Sequence, residues 1–276
     1  MTPIIRTLSL AEVATLVDWA AGEGWNPGLE DAAAFHAADP EGFLGAFLGG
    51  EMAAGIAAVA YGEDFGFIGL YICRPDMRGK GYGKAVWYAG MARLSGRTVG
   101  LDGVPAQQAN YRSMGFADHY RTFRWSGRFA GTAHSGKVRS LTLDLLAAVA
   151  PFDRLHFPAR RDAFLERWIA PPHVALVCMD DEAVRGYGVA RACREGFKVG
   201  PLFADDVDVA VTLLAALSDA CGDDVHIDVP ASQVEFSAML AAAGLSQGFE
   251  TARMYRGPAP AIRLGGVYGV TSLELG

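Results

Sequence analysis

The chain has 276 residues, half of them apolar and a fifth charged, and its 31 acidic against 24 basic residues give a formal net charge of −7. This length suits two domains of about 130 residues each. The acidic balance argues against nucleic acid or an anionic membrane as the main partner, since both select a basic surface.

The opening residues lack a basic region ahead of an apolar core, so no secretory signal is read. No apolar run reaches the roughly 18 residues of a membrane span, and a cytoplasmic protein is expected. Cys73, Cys178, Cys193 and Cys221 form no C-x-x-C pair. That fits reduced thiols better than a disulfide framework or a zinc site, and metal catalysis has no support.

In chain order, "PIIRTL" reads as a strand and "LAEVATLVDWAAGEG" as an amphipathic helix ending at glycine. "GWNPG" is a loop, because Asn-Pro and Pro-Gly both favour turns, and "LEDAAAFHAA" is a second helix. A hairpin is expected around Gly49-Gly50, followed by "FGFIGLYIC", a strand apolar enough to be buried on both faces. Then come a helix in "GKAVWYAGMARL", a strand in "TVGLDGV", a helix in "AQQANYRSMG" and a strand in "ADHYRTFRWSG".

Small and glycine-rich residues at 129–139 suit a linker between a domain at 1–128 and another at 140–276. Beyond it the order partly repeats: helix, hairpin, strand, helix, strand, helix, strand. "VGLDGVPAQQANYRSMGF" and "VHIDVPASQVEFSAMLAAAGL" share a strand, an aspartate, Val-Pro-Ala, glutamine, a helix and a glycine. This internal echo points to duplicated halves.

The segment "RPDMRGKGYGKAVW" puts glycines and lysines between the buried strand and a helix, which calls for a phosphate. A P-loop fails, because Arg78 stands where its first glycine belongs and Ala85 replaces the magnesium-binding hydroxyl. A dinucleotide fingerprint fails because Lys84 holds the place of the third glycine. What remains is R-x-x-G-x-G, met by Arg78, Gly81 and Gly83. Backbone N–H groups from Gly79 to Lys84 can converge at the positive end of the next helix, with no Cβ to block a pyrophosphate. A solvated turn that merely caps the helix is the bland alternative.

"LYICRPDMRGKGYGKAVW" with "NYRSMGF" resembles the GNAT superfamily of acyl-CoA-dependent N-acetyltransferases over about residues 1–126. "GWNPG", "LDGVPAQQANYRSMGF", "GPLFADD" and "RMYRG" are similar to a bacterial subgroup with a second, GNAT-like C-terminal domain. The fold this implies is α/β (α+β): two tandem domains, each a mixed twisted sheet flanked by helices, the first catalytic and the second degenerate. The resemblance implies acetyl-CoA entering between "FGFIGLYIC" and "TVGLDGV". Its pantetheine would pair with Ile72 and Cys73, and its pyrophosphate would lie on Arg78, Gly79, Lys80, Gly81, Tyr82, Gly83 and Lys84.

Amine acetylation needs a polarised thioester carbonyl, a neutral amine and a proton for the departing thiolate. Tyr111, four residues before Gly115, matches the family's tyrosine that faces the CoA sulfur as general acid; a ring that only packs on the cofactor is the alternative. Asp102 could accept a proton directly or through water, as could Glu63 or Asp64 at the start of the other strand. Asp102 also reads as an ordinary turn residue before glycine. The family usually builds its acceptor wall from the first helix–loop–helix, which makes Trp25 and Asn26 the substrate-binding candidates; a core plug and a turn-former are their alternatives. Cys73 reads as a packed apolar residue, and His36, His119 and His156 stand alone.

The second half lacks R-x-x-G-x-G. Pro201, Asp205 and Asp206 fall where the loop should be and would repel a pyrophosphate, and Phe236 stands where a counterpart of Tyr111 belongs. The expectation is an acetyl-CoA-dependent N-acetyltransferase acting by direct attack in a ternary complex on a small primary amine, with a homodimer left open. A non-catalytic acyl-CoA sensor is the rival, because duplicated domains can turn cofactor binding into partner binding.

Overall fold

A computed structural model describes residues 2–130 and 137–276; the expected linker falls largely on 131–136, outside the described residues. The first half runs β1 (Ile4–Thr7), α1 (Leu10–Gly22), α2 (Asp31–Ala38), β2 (Phe43–Leu48), β3 (Glu51–Tyr61), β4 (Phe65–Cys73), α3 (Tyr82–Arg93), β5 (Thr98–Gly103), α4 (Pro105–Ser113) and β6 (Ala117–Gly127). The second runs β7 (Val138–Ser140), α5 (Leu146–His156), α6 (Asp162–Trp168), β8 (Val174–Asp180), β9 (Ala183–Ala192), β10 (Phe197–Ala204), α7 (Val207–Cys221), β11 (Val225–Pro230), α8 (Val234–Ala242), β12 (Ser246–Arg256) and β13 (Val267–Gly269).

Local chemistry sets several of these boundaries. Ser9 and Glu12 form a reciprocal capping box at the start of α1, each satisfying the other's backbone N–H. The Asp206 side chain caps α7, which ends on Gly222 in the left-handed conformation. α5, β7 and β13 are elements for which no pattern was read in the sequence. Pro151 lies inside α5 and interrupts its helical signal.

All described strands join one mixed, twisted sheet of 13 strands. Along it the order is β1-β2-β3-β4-β5-β12-β6-β11-β10-β9-β8-β7, with β13 on β10. Only β4–β5 and β10–β11 are parallel, so each half carries one parallel pair at the same place in its topology. The halves also exchange their last long strands. β12 inserts beside β5, from Ala252↔Gly103 to Arg256↔Val99, while β6 pairs with β11. Continuous backbone pairing therefore welds the two halves.

β4 is buried on both faces, as its composition predicts. Phe65, Phe67, Leu70 and Ile72 belong to the same core cluster as Val13 and Leu16 of α1. Ile68 instead packs with Val86 and Trp87 of α3, together with Tyr71 and Cys73. The alternation thus slips by one residue between 67 and 70, the mark of a bulge. That bulge shapes the site.

Candidate active site

A cleft of about 480 Å³ opens where β4 and β5 part. The two strands pair only from Phe65–Ile68 against Thr98–Leu101. The β3–β4 register then shifts between Gly55 and Ala57, and Leu70 takes a positive φ of 44°. A branched-chain residue rarely adopts that conformation, so packing from both sides must hold it. Trp25, Ile72, Cys73, Arg78, Asp102 and Tyr111 all line the cleft.

Residues 79–84 follow Arg78 of the lining and are not themselves among its residues. Gly79 has a φ of 73°, and Gly81 (φ 89°) is the N-cap of α3 with no side-chain hydrogen bond to the helix start. The Gly83 N–H points at the Cys73 thiol, and no side chain caps the helix start, which carries a partial positive charge. Lys80 folds back so that Nζ donates to the Asp76 carbonyl at 2.9 Å. Arg78 donates from Nε to the Cys73 carbonyl at 3.1 Å and pairs with Glu23. An ideal Cβ on Gly83 would stand 3.2 Å from the Tyr71 hydroxyl, so the tyrosine would have to give by a few tenths of an ångström to admit one.

α4 begins with Pro105 in its first turn and carries Gln107, Asn110 and Tyr111 to the cleft wall, on one helical face. The Tyr111 ring stacks on Trp87 at 5.6 Å between centroids, and Trp87 also meets Tyr71 at 5.3 Å. Burial, with a smaller contribution from Tyr71, pushes the Tyr111 phenol up to about 12. Tyr111 therefore keeps its proton across the physiological range.

The candidate bases sit otherwise than the sequence suggests. The Asp102 side chain is fully buried, and both its oxygens accept from Arg253 Nε and Nη2 of β12 at 2.8 Å. Burial raises the Asp102 pKa and Arg253 opposes that shift. The carboxylate thus belongs to an ion pair between the halves, neither a free base nor a turn residue. Glu63 and Asp64 are exposed before β4, outside the lining of the cleft.

Asn26 is corrected too. Its Nδ2 donates to the Glu195 carbonyl at 2.8 Å and its Oδ1 accepts from the Glu195 N–H at 3.2 Å, so it clamps the second half and faces no substrate. Trp25 does line the cleft, and its carbonyl accepts from Lys198 Nζ at 3.0 Å and from Arg124 at 3.3 Å.

The sequence reading passed over Glu23, Tyr71, Gln107, Asn110 and Leu273 of the lining. The helical spacing of Gln107 and Asn110 with Tyr111 offered a signal for those two. Leu273 is brought in by a segment with no pattern of its own.

A family model described as "Acetyltransferase (GNAT) family" matches residues 10–119, and one described as "Acetyltransferase (GNAT) domain" matches 149–269. A holothin acyltransferase from Pseudoalteromonas sp. (strain SANK 73390) is 33% identical over 98% of this chain and 94% of its own length. The chain is a GNAT acyltransferase. Among solved structures, a putative acetyltransferase from Pyrococcus horikoshii covers 100% of this chain and 96% of its own, at 21% identity and a TM-score of 0.83. A tandem GNAT protein from the clavulanic acid biosynthesis pathway covers 93% and 99%, at 13% identity and a TM-score of 0.62. Both likenesses bear on the fold.

The family's donors are acyl-CoAs. The uncapped start of α3 would take the pyrophosphate, and the splayed end of β4 would take the pantetheine arm. The second half has closed the equivalent gap with its own chain. β13 pairs with β10 (Leu202↔Gly269, Phe203↔Val267), and Val270 N–H reaches the Asp228 carbonyl of β11 at 2.9 Å. The slot between the parallel pair is filled, and the matching helix start is capped by Asp206. The second half is thus left without the open splay and the uncapped helix start of the first. The same segment then continues as residues 271–276 to the back of β4, where a Cβ on Gly69 would lie 1.8 Å from the Glu274 carbonyl oxygen.

Proposed function

We propose that the chain transfers an acetyl group from acetyl-CoA to a primary amine of a small molecule, by direct attack within a ternary complex. One observation carries this reading: Tyr111, protonated and half-buried, shares a single cleft with the bulged end of β4. A thioester laid along β4 would present its carbonyl to strand-end amides and its sulfur to the phenol. Full transfer of a proton from a phenol near 12 to an ordinary thiolate would run uphill by about three to four pK units. Tyr111 therefore acts by donating a hydrogen bond to the developing thiolate.

Two features favour a small acceptor. The cleft, about 480 Å³ before a donor enters, lies in the range of small-molecule sites and must also admit the acyl-pantetheine arm. Trp25 and Leu273 line it, and on this reading they would wall the acceptor. The relative named as a holothin acyltransferase supports transfer to a dedicated acceptor. Four free cysteines fit the reducing cytoplasm as the compartment.

The test is thiol release from acetyl-CoA over a panel of amines and peptides, with CoA binding followed by calorimetry. Wild type should turn over at least one small amine. Gly81→Glu, which sets an anion and a side chain in a left-handed position at the helix start, should abolish CoA binding while circular dichroism is unchanged. Turnover of peptides alone, or no CoA binding by wild type, would overturn the reading.

A further inference from the structure

The loop between α1 and α2 carries Trp25 to the cleft, yet much of what holds it comes from the second half. The Trp25 N–H donates back to the Ala20 carbonyl of α1 at 3.1 Å. From there the bonds cross to the β9–β10 hairpin. Asn26, at a φ of 50°, exchanges two bonds with the backbone of Glu195. Gly28 forms a β-bridge with Cys193, and the Leu29 N–H reaches the Ala192 carbonyl at 2.9 Å. Asp31, fully buried at the start of α2, accepts from the Gly28 N–H at 2.9 Å and pairs with Arg191 of β9.

The tightest control is at the Trp25 carbonyl, whose oxygen can accept two hydrogen bonds. Lys198 Nζ of β10 donates to it at 3.0 Å and Arg124 Nη1 of β6 at 3.3 Å. Lys198 is only 3% exposed, and Glu274 Oε1 stands 3.9 Å from its ammonium. Arg124 is held in turn by Asp228 of β11, with both bonds at 2.9 Å. Burying an ammonium is costly, and stability alone is a poor reason to keep one. Two cations on one carbonyl fix the peptide that sets the Trp25 indole against the cleft.

The donor side shows no such dependence. Among the described residues, none of 72–84 hydrogen-bonds or ion-pairs with the second half. The strand that precedes them pairs with β3 and β5.

On the reading of the cleft as an amine acyltransferase site, we propose that Lys198 is a positioning residue for the acceptor. Through the Trp25 carbonyl it sets the indole that walls the amine, and it leaves the acyl-CoA site alone. The degenerate half thereby frames the acceptor wall, to which it also gives Leu273. Acceptor fit and donor binding are divided between the halves.

The experiment measures kcat and KM for the amine, with CoA binding by calorimetry, in the full chain as wild type, Lys198→Met, Trp25→Ala and the double variant. Lys198→Met keeps an unbranched side chain and loses the donor. It should raise the amine KM about 10-fold, within the range of coupled neighbours, and leave CoA affinity and kcat within about twofold of wild type. In the Trp25→Ala background the same change should have almost no further effect on KM, since the indole it positions is gone. A merely structural role would act equally in both backgrounds. Should Lys198→Met misfold, Asn26→Gly decides: glycine takes the positive φ without strain, and the two bonds to Glu195 are lost. It should raise the amine KM several-fold with CoA affinity unchanged. An amine KM unmoved in either variant, an equal loss of CoA affinity, or an undiminished Lys198 effect in the Trp25→Ala background overturns the proposal, while wild-type turnover leaves the transferase reading intact. Wild type that binds CoA and acylates nothing sinks both.

Discussion

Arg253 and Asp102, 151 residues apart, meet in a two-pronged ion pair with both bonds at 2.8 Å and less than a tenth of either side chain exposed. They lie opposite each other where β12 enters beside β5. Removing one member of such a pair strands the other charge in the interior and costs about 3–5 kcal/mol. Asp102→Asn should therefore lower the free energy of unfolding, read from a urea titration, by that amount. The double variant Asp102→Leu with Arg253→Met should recover much of it, since no charge is left unpaired. A base at Asp102 would give the opposite pattern, a collapse of kcat with stability intact.

Tyr111→Phe tests the phenol with the smallest change of shape. The ring would keep its stack on Trp87, so CoA affinity and thermal midpoint should hold. Without the hydrogen bond to the leaving sulfur, kcat should fall about 100-fold, the lower end of the range for such donors. A loss confined to CoA affinity would reduce Tyr111 to a packing residue.

Gly69→Ala should be among the most damaging single-methyl additions to the first half. The new Cβ would meet a backbone carbonyl, that of Glu274 at 1.8 Å, which cannot rotate away like a flexible side chain. The 271–276 segment must shift, at a cost of about 1–3 kcal/mol or more. Because Leu273 of that segment lines the cleft, kcat should fall together with the thermal midpoint. Gly79→Ala meets open space and should cost no more than the roughly 1–2 kcal/mol of its left-handed backbone.

Much of this architecture was legible in the sequence because local rules and tertiary packing agree there. The buried strand at 65–73, the glycine turn at 79–83 and Tyr111 on its helix all follow from patterns a few residues long. The exchange of β12 and β6 was hidden, since β-pairing depends on partners far apart in sequence and a strand reads the same beside either neighbour. Arg253 was visible in "RMYRG" without a role, because its partner is supplied only by that exchange. Asn26 read as a turn residue or a substrate ligand, and its contact with Glu195 again spans the halves. Residues 267–276 carry no amphipathic period, yet they fill one splay and back the other. What was missed is consistently what one half does to the other.

The acid sensitivity of the fold is set by histidines. Burial lowers the pKa of His156, His173 and His226, each part of a packed network. His156 Nδ1 lies 2.9 Å from the Phe152 carbonyl, His173 Nδ1 2.9 Å from the Trp168 carbonyl, and His226 bridges Ser126 Oγ and the Glu195 carbonyl. In the unfolded chain all three titrate near 6.5. Below that pH the unfolded state binds protons that the folded state refuses, so stability is full above 6.5 and falls as pH drops towards the lowered folded values. Each histidine can contribute at most about 1.4 kcal/mol per pH unit. Glu12, held down to about 2 by Arg6, gives up its share only below the ordinary glutamate range and does not affect this window. Urea unfolding should show a lower midpoint at pH 5.5 than at pH 7.5, and replacing any one of the three histidines by glutamine should shrink that difference. A midpoint indifferent to pH across this interval would show that the histidines titrate alike in both states.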